Sequence, residues 1–276
     1  MSAAVALAPS LEEEVAPGTA AFYRKALQTL VDAGVPFLVG GAFAHACFTG
    51  IRRSTKDLDL FIKREDYDRV ASLMQAEGWR TEMTYPHWLA KVYAGEDFID
   101  LIFNSGNGLT PVSDAWFRNN ARAQVLGVPV SIANIEDGLL SKAFIMERER
   151  YDGADIAHLL QANAEQIDWA GLVERFGPHW RVLLAHLTLF GYVYPGERHR
   201  VPHWVMEKLV SRLAAETRQP PPADPHLCAG TLLSREQYLH DVERLGYVDG
   251  RLTNASTMTA QDVDHWTGAI PARQQQ

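Results

Sequence analysis

Phe22, Ala26, Leu27, Leu30 and Val31 recur at helical spacing and predict an amphipathic helix over 19–33, with Gly34 as its stop. The run Val35–Val39 predicts a short buried strand, Gly40-Gly41 a turn, and Ala42–Phe48 a helix ended by Thr49-Gly50. A basic, polar stretch at 51–56 leads into a strand at 58–62. Residues 63–78 predict a second amphipathic helix, with Tyr67, Val70, Ala71 and Met74 on one face and Gly78 closing it. Two β-rich runs, 88–93 and 98–103, flank the hairpin signal Ala94-Gly95-Glu96-Asp97. A symmetric turn there sets Lys91 directly opposite Asp100. Asn104–Gly108 reads as a loop, and 125–132, with its Gly-Val-Pro centre, as a short edge strand pair.

From Ile135 onward the pattern becomes helix after helix, at 136–149, 153–163, 168–176, 179–193 and 203–215. The expected organisation is a loose N-terminus over 1–18, an α/β core over 19–134, a helical domain over 135–218, and a Pro-rich linker with a C-terminal tail over 219–276. The linker expectation rests on Gln219-Pro220-Pro221-Pro222, which cannot continue a helix. Within the tail, 234–245 predicts one more helix with a serine cap, and the last residues read as disordered.

Composition narrows the function. A chain of 276 residues with 47% hydrophobic content can bury a full core. Its net charge of -8 argues against general nucleic-acid binding, which wants a basic face, while leaving room for a local basic patch. Residues 182–194 form the longest apolar run and fall short of the roughly 20 residues of a membrane span. Met1–Ala8 lacks the basic and long apolar regions of a secretory signal, and Cys47 and Cys228 have no metal-ligand spacing. The expectation is a reduced, cytoplasmic protein with Cys47 as a buried thiol. His45, His87 and His186, together with Trp169, Trp180, Trp204 and Trp266, read as core residues, and Arg198-His199-Arg200 as a surface turn.

Three features carry chemistry. Asp57 and Asp59, two apart on a strand, aim to one face and can converge on a hard cation such as Mg²⁺; the alternative is a solvated strand end. Asp100 lies inside Phe98-Ile99-Asp100-Leu101-Ile102-Phe103, where a carboxylate needs a cation. Both an ion pair with Lys91 and a third metal-binding acid meet that need. Gly40-Gly41 joins a strand to a helix, so backbone can approach a phosphate closely while the helix start offers N–H groups. Arg52, Arg53 and Lys56 are the cations nearest the acids in sequence. Lys142 lies among Leu139, Leu140, Ala143 and Phe144, while Asp152 and Asp155 read as capping groups of the following helix.

The order Leu38-Val39-Gly40-Gly41, then Arg53-x-Thr55-x-Asp57-Leu58-Asp59-Leu60-Phe61, then Ile99-Asp100-Leu101 resembles the signature of the polymerase-beta-like nucleotidyltransferase superfamily. The segment from Glu136 to Lys142, with the charged residues up to Asp155, is similar to the abortive-infection toxin-like and uncharacterised bacterial branch. The resemblance spans about residues 30–162. Fifteen residues separate Gly41 from Asp57, longer than the usual interval in minimal members. What the resemblance implies is an α+β fold, a mixed β-sheet flanked by helices and followed by an all-helical region. It further implies Mg²⁺, one ion or two, on the catalytic acids Asp57, Asp59 and Asp100. Gly40, Gly41, Arg53, Thr55 and Lys142 would bind the nucleotide. The implied reaction moves a nucleoside monophosphate from an NTP to an acceptor hydroxyl on a small molecule, a protein or tRNA. The alternative is a non-catalytic nucleotide-binding or partner-binding module of the same fold.

Overall fold

The computed structural model describes residues 15–53, 55–118, 120–220 and 226–270. The chain divides into two compact units, residues 1–138 and 139–276.

The first unit opens with α1 (Pro17–Asp32), which begins on Pro17, where a missing N–H costs nothing. Residues 17 and 18 therefore belong to the helix and correct the loose start expected there, while 1–14 lie outside the described residues. β1 (Leu38–Val39), α2 (Gly41–Thr49) and β2 (Asp57–Phe61) follow. A 3-10 turn at Arg64–Asp66 precedes α3 (Tyr67–Ala76), so this helix begins later than its pattern suggested. Then come β3 (Arg80–Tyr85), β4 (Leu89–Ala94) and β5 (Asp97–Ile102).

These strands form one mixed sheet in the order β1-β2-β5-β4-β3, with β2 and β5 parallel and every other neighbour antiparallel. The fold is α+β. Alternation sets its two faces: Leu58, Leu60, Ala90, Val92, Ile99 and Leu101 are buried and share a core with Tyr23, Ala26, Leu27 and Leu30 of α1. Burying each such leucine contributes about 2 kcal/mol. Asp57, Asp59, Lys91 and Asp100 take the positions between them.

β3 escaped the sequence pattern. Its residues, Arg80 to Tyr85, are polar or half-exposed because it is an edge strand paired only with β4, and its register shifts between Glu82 and Tyr85. β6 (Arg122–Val125) and β7 (Val128–Ser131) form a separate two-stranded ribbon around Leu126-Gly127, both with positive φ, the turn that suits tight hairpins. Ile132 then bridges to Val39.

α4 (Ile135–Ala143) stops six residues before the expected end, since Glu147-Arg148-Glu149-Arg150 has no apolar face to continue it and a bridge joins Met146 to Tyr151. The second unit contains α5 (Gly153–Asn163), α6 (Trp169–Phe176), α7 (Trp180–Val193) and α8 (His203–Glu216). Trp169 and Trp180 are buried, whereas Trp204 is exposed, against its core expectation. Cys47 is half-buried.

Past the stretch expected as a linker, whose residues 221–225 lie outside the described ones, β8 (Leu227–Cys228) pairs in parallel with β9 (Val248–Asp249). Ser234 Oγ accepts the N–H groups of Glu236 and Gln237, closing a local turn, so α9 (Leu239–Leu245) starts five residues after the expected cap. α10 (Ala260–Gly268) starts at a capping box between Thr259 and Asp262. Residues 271–276, expected to be disordered, also lie outside the described residues.

Candidate metal and nucleotide site

β1 runs antiparallel to β2 with Val39 opposite Leu60, which carries the next residues of the chain along Asp59. The Gly40 N–H donates to the Asp59 carbonyl oxygen at 2.9 Å, and Gly40 is the N-cap of α2. Neither glycine tolerates a side chain here. A Cβ on Gly40 would lie 2.3 Å from Phe61 Cε2, and one on Gly41 would lie 1.7 Å from Asp59 Oδ2. Gly41 also has φ +52, a left-handed conformation that favours glycine. The start of α2 is thus pressed onto the Asp59 carboxylate.

The parallel pairing of β2 with β5 is in register at Asp59 and Asp100. Asp57, two residues before Asp59, shares their face, and each of the three acids offers an oxygen within 4.8 Å of the other two. All three are half-buried. Three carboxylates this close repel one another, and hard oxygen donors in such a group suit Mg²⁺. The donor set and the glycine turn against Asp59 therefore fit a divalent ion with a phosphate beside it.

Lys91 stands opposite Asp100, as strand pairing required, with Nζ 2.5 Å from Asp100 Oδ1. Burial pushes the Asp100 carboxyl above its ordinary range; Lys91 works against that shift, and the nearby Asp57 charge adds to it. The Thr55 hydroxyl lies 2.8 Å from Asp57 Oδ1 and 3.0 Å from the Asp57 carbonyl oxygen, so it holds the first acid in place.

Tyr23 escaped the sequence reading. Its fully buried phenol donates to the Phe98 carbonyl at 3.1 Å and the Lys56 carbonyl at 3.3 Å, tying α1 to the entry of β2 and to β5. Burial raises its pKa, and the charges of Asp57, Asp97, Asp100 and Asp59 raise it further. The available signal was a hydroxyl within the stripe Tyr23, Ala26, Leu27 and Leu30, where a buried O–H needs an acceptor.

The structure thus brings together Gly40, Gly41, Thr55, Asp57, Asp59 and Asp100. Arg53 lies exposed on the loop that enters β2. Lys142 belongs to the second unit, where its Nζ is 2.8 Å from Asp155 Oδ2 and 3.3 Å from Asp152 Oδ2. Asp152 is the N-cap residue of α5 by position, yet its side chain makes no capping bond; it accepts from Arg150 and Lys142 instead. Arg200 pairs with Glu165 and Glu197, in keeping with a surface turn at 198–200.

A protein-family model described as an uncharacterised nucleotidyltransferase matches residues 27–185, a span that holds every residue of the site except Tyr23. No curated protein matches the chain. Among solved structures, the lincosamide antibiotic adenylyltransferase LnuA, lincomycin-bound, is similar at 16% identity and a TM-score of 0.38, covering 52% of this chain and 96% of that one. The antibiotic-resistance factor ANT(2'')-Ia is similar at 17% identity and a TM-score of 0.35, covering 73% and 96%. JHP933 from Helicobacter pylori is similar at 12% identity and a TM-score of 0.34, covering 74% and 99%.

Proposed function

The chain belongs to this family of nucleotidyltransferases, and from that premise we propose that it moves a nucleoside monophosphate from an NTP to an acceptor hydroxyl, with release of pyrophosphate. The observation that supports this most directly is the meeting of Asp57, Asp59 and Asp100 within 4.8 Å on one sheet face. These three residues would hold Mg²⁺. When bound, the metal supplies charge neutralisation of the triphosphate and polarisation of the phosphorus under attack.

The remaining work falls to the chain itself. Gly40 and Gly41 bring the start of α2 close to Asp59 with no side chain of their own between, so N–H groups of the first turn of α2 would meet phosphate oxygens. Thr55 orients Asp57 through its hydroxyl. Asp100, on the same sheet face as the other two acids, would accept the proton of the attacking hydroxyl at its carboxylate. Arg53, exposed before β2, adds positive charge for the transferring phosphoryl group. The domain reading places this chemistry in the α/β core over 19–134. The free thiols of Cys47 and Cys228, with the need for NTP, fit a reducing, nucleotide-rich compartment such as the cytoplasm.

The acceptor is a small molecule, a protein or tRNA, and one assay separates them. Purified protein is incubated with Mg²⁺ and each of the four NTPs labelled at the α-phosphate, with a metabolite extract, a protein extract or tRNA. Label joined to one acceptor class, with matching pyrophosphate release, is the expected result, and Asp57→Ala and Asp59→Ala should reduce it by about a hundredfold or more. Transfer that survives both substitutions would remove the two aspartates from the reaction.

A further inference from the structure

The acid cluster carries a group that metal binding does not call for: a lysine seated on one of its three carboxylates. The Lys91 and Asp100 side chains are only 19% and 14% exposed, and their atoms approach to 2.5 Å. The ammonium also lies 3.9 Å from the centre of the Phe98 ring, and Phe98 is in register with Asp57. A ring face and a carboxylate together hold the charge beside the cluster, where a long flexible side chain would otherwise reach for water. The next residue on this face, Glu82, is in register with Lys91 but bonds Arg80 at 2.5 Å. The lysine charge offsets part of the mutual repulsion of the three carboxylates.

We propose that Lys91 is a resident counter-ion that stands in for the metal at Asp100. It holds the metal-free cluster together and competes with a divalent cation for that carboxylate, so ion binding pushes the ammonium back. The inference rests on the reading of the three acids as metal ligands. A lysine that only braced β4 against β5 would stabilise the protein equally with and without the ion. A stand-in stabilises the metal-free form alone and weakens ion binding.

The test is Mn²⁺ titration without nucleotide, following free Mn²⁺ by its electron paramagnetic resonance signal at about pH 8. It is run on the wild type, Lys91→Met, Lys91→Arg and the double variant Asp57→Asn/Asp59→Asn, with melting temperatures measured at each end of the titration. Lys91→Met should bind Mn²⁺ about tenfold more tightly, because a unit charge a few ångströms from the ion has gone. It should also melt below the wild type without Mn²⁺ and gain more from the ion. Lys91→Arg, which keeps the charge, should stay within about threefold of the wild type. Equal or weaker binding by Lys91→Met, or an equal melting loss with and without the ion, overturns the proposal. If Lys91→Met does not fold, Lys91→Gln is judged by the same two criteria. Wild-type affinity in the aspartate double variant would instead overturn the metal reading itself, so the two failures are distinct.

Discussion

At the residue scale the site depends on what is missing as much as on what is present. Gly41 is the clearest case, because its backbone conformation and its closeness to Asp59 Oδ2 each exclude a side chain. Gly41→Ala should cost about 3 kcal/mol or more, from the left-handed strain and the displaced carboxylate together. Urea denaturation checks this, and an unchanged midpoint and slope would contradict the close approach. The glycines and acids were legible in the sequence as candidates through their order, Gly-Gly before a helix, then Asp-x-Asp at a strand mouth, then Asp100 among apolar neighbours, rather than through any one of them alone. Lys91 was legible because hairpin symmetry determines cross-strand partners, and the pairing places it on Asp100. Tyr23 was not, since its acceptors are backbone carbonyls 33 and 75 residues away. The partners of Lys142 were missed for a related reason: Asp152 and Asp155 looked like caps by position, whereas their side chains take a cation.

At the scale of elements, periodicity served best where one face is buried. α5 spans Gly153–Asn163 as its spacing required, and α7 and α8 differ from expectation by a residue at one end. It failed for β3, an edge strand with no apolar alternation, and for α10, whose apolar face is slight, Val263 being its one buried residue. α7 also has a titrating position. His186 is buried and its Nε2 donates to the Ala143 carbonyl at 2.8 Å. Burial lowers its pKa, with the Ala143 bond opposing, and burial lowers that of His179 at the N-cap of α7 as well. A histidine whose folded pKa is depressed takes up its proton more readily when unfolded. Its contribution to stability is therefore complete above the unfolded pKa of about 6.5 and is lost as pH falls below it. The melting temperature should fall between about pH 7.5 and 5.5, and less so in His186→Gln. An identical pH dependence in that variant would show that His186 is not the group responsible.

At the scale of the whole molecule, the family match ends at residue 185, so residues 186–270, from most of α7 onward, lie beyond it. The sequence was least informative in that same region. The buried Arg251–Asp249 pair, with Nη2 2.6 Å from Oδ2, and the short β8–β9 pairing have no periodic pattern to reveal them. The sheet, by contrast, was legible as an architecture because a motif order resembling a known superfamily supplied the topology that local patterns could not. The net charge of -8 belongs to the chain as a whole, whereas the proposed reaction depends on a few ångströms around β2 and β5. The most direct measurement is therefore anomalous diffraction from crystals grown with Mn²⁺ and a non-hydrolysable NTP analogue. The account predicts manganese density bounded by Asp57, Asp59 and Asp100, with the triphosphate against Gly40 and Gly41. Bound analogue with no manganese at the three aspartates would contradict it.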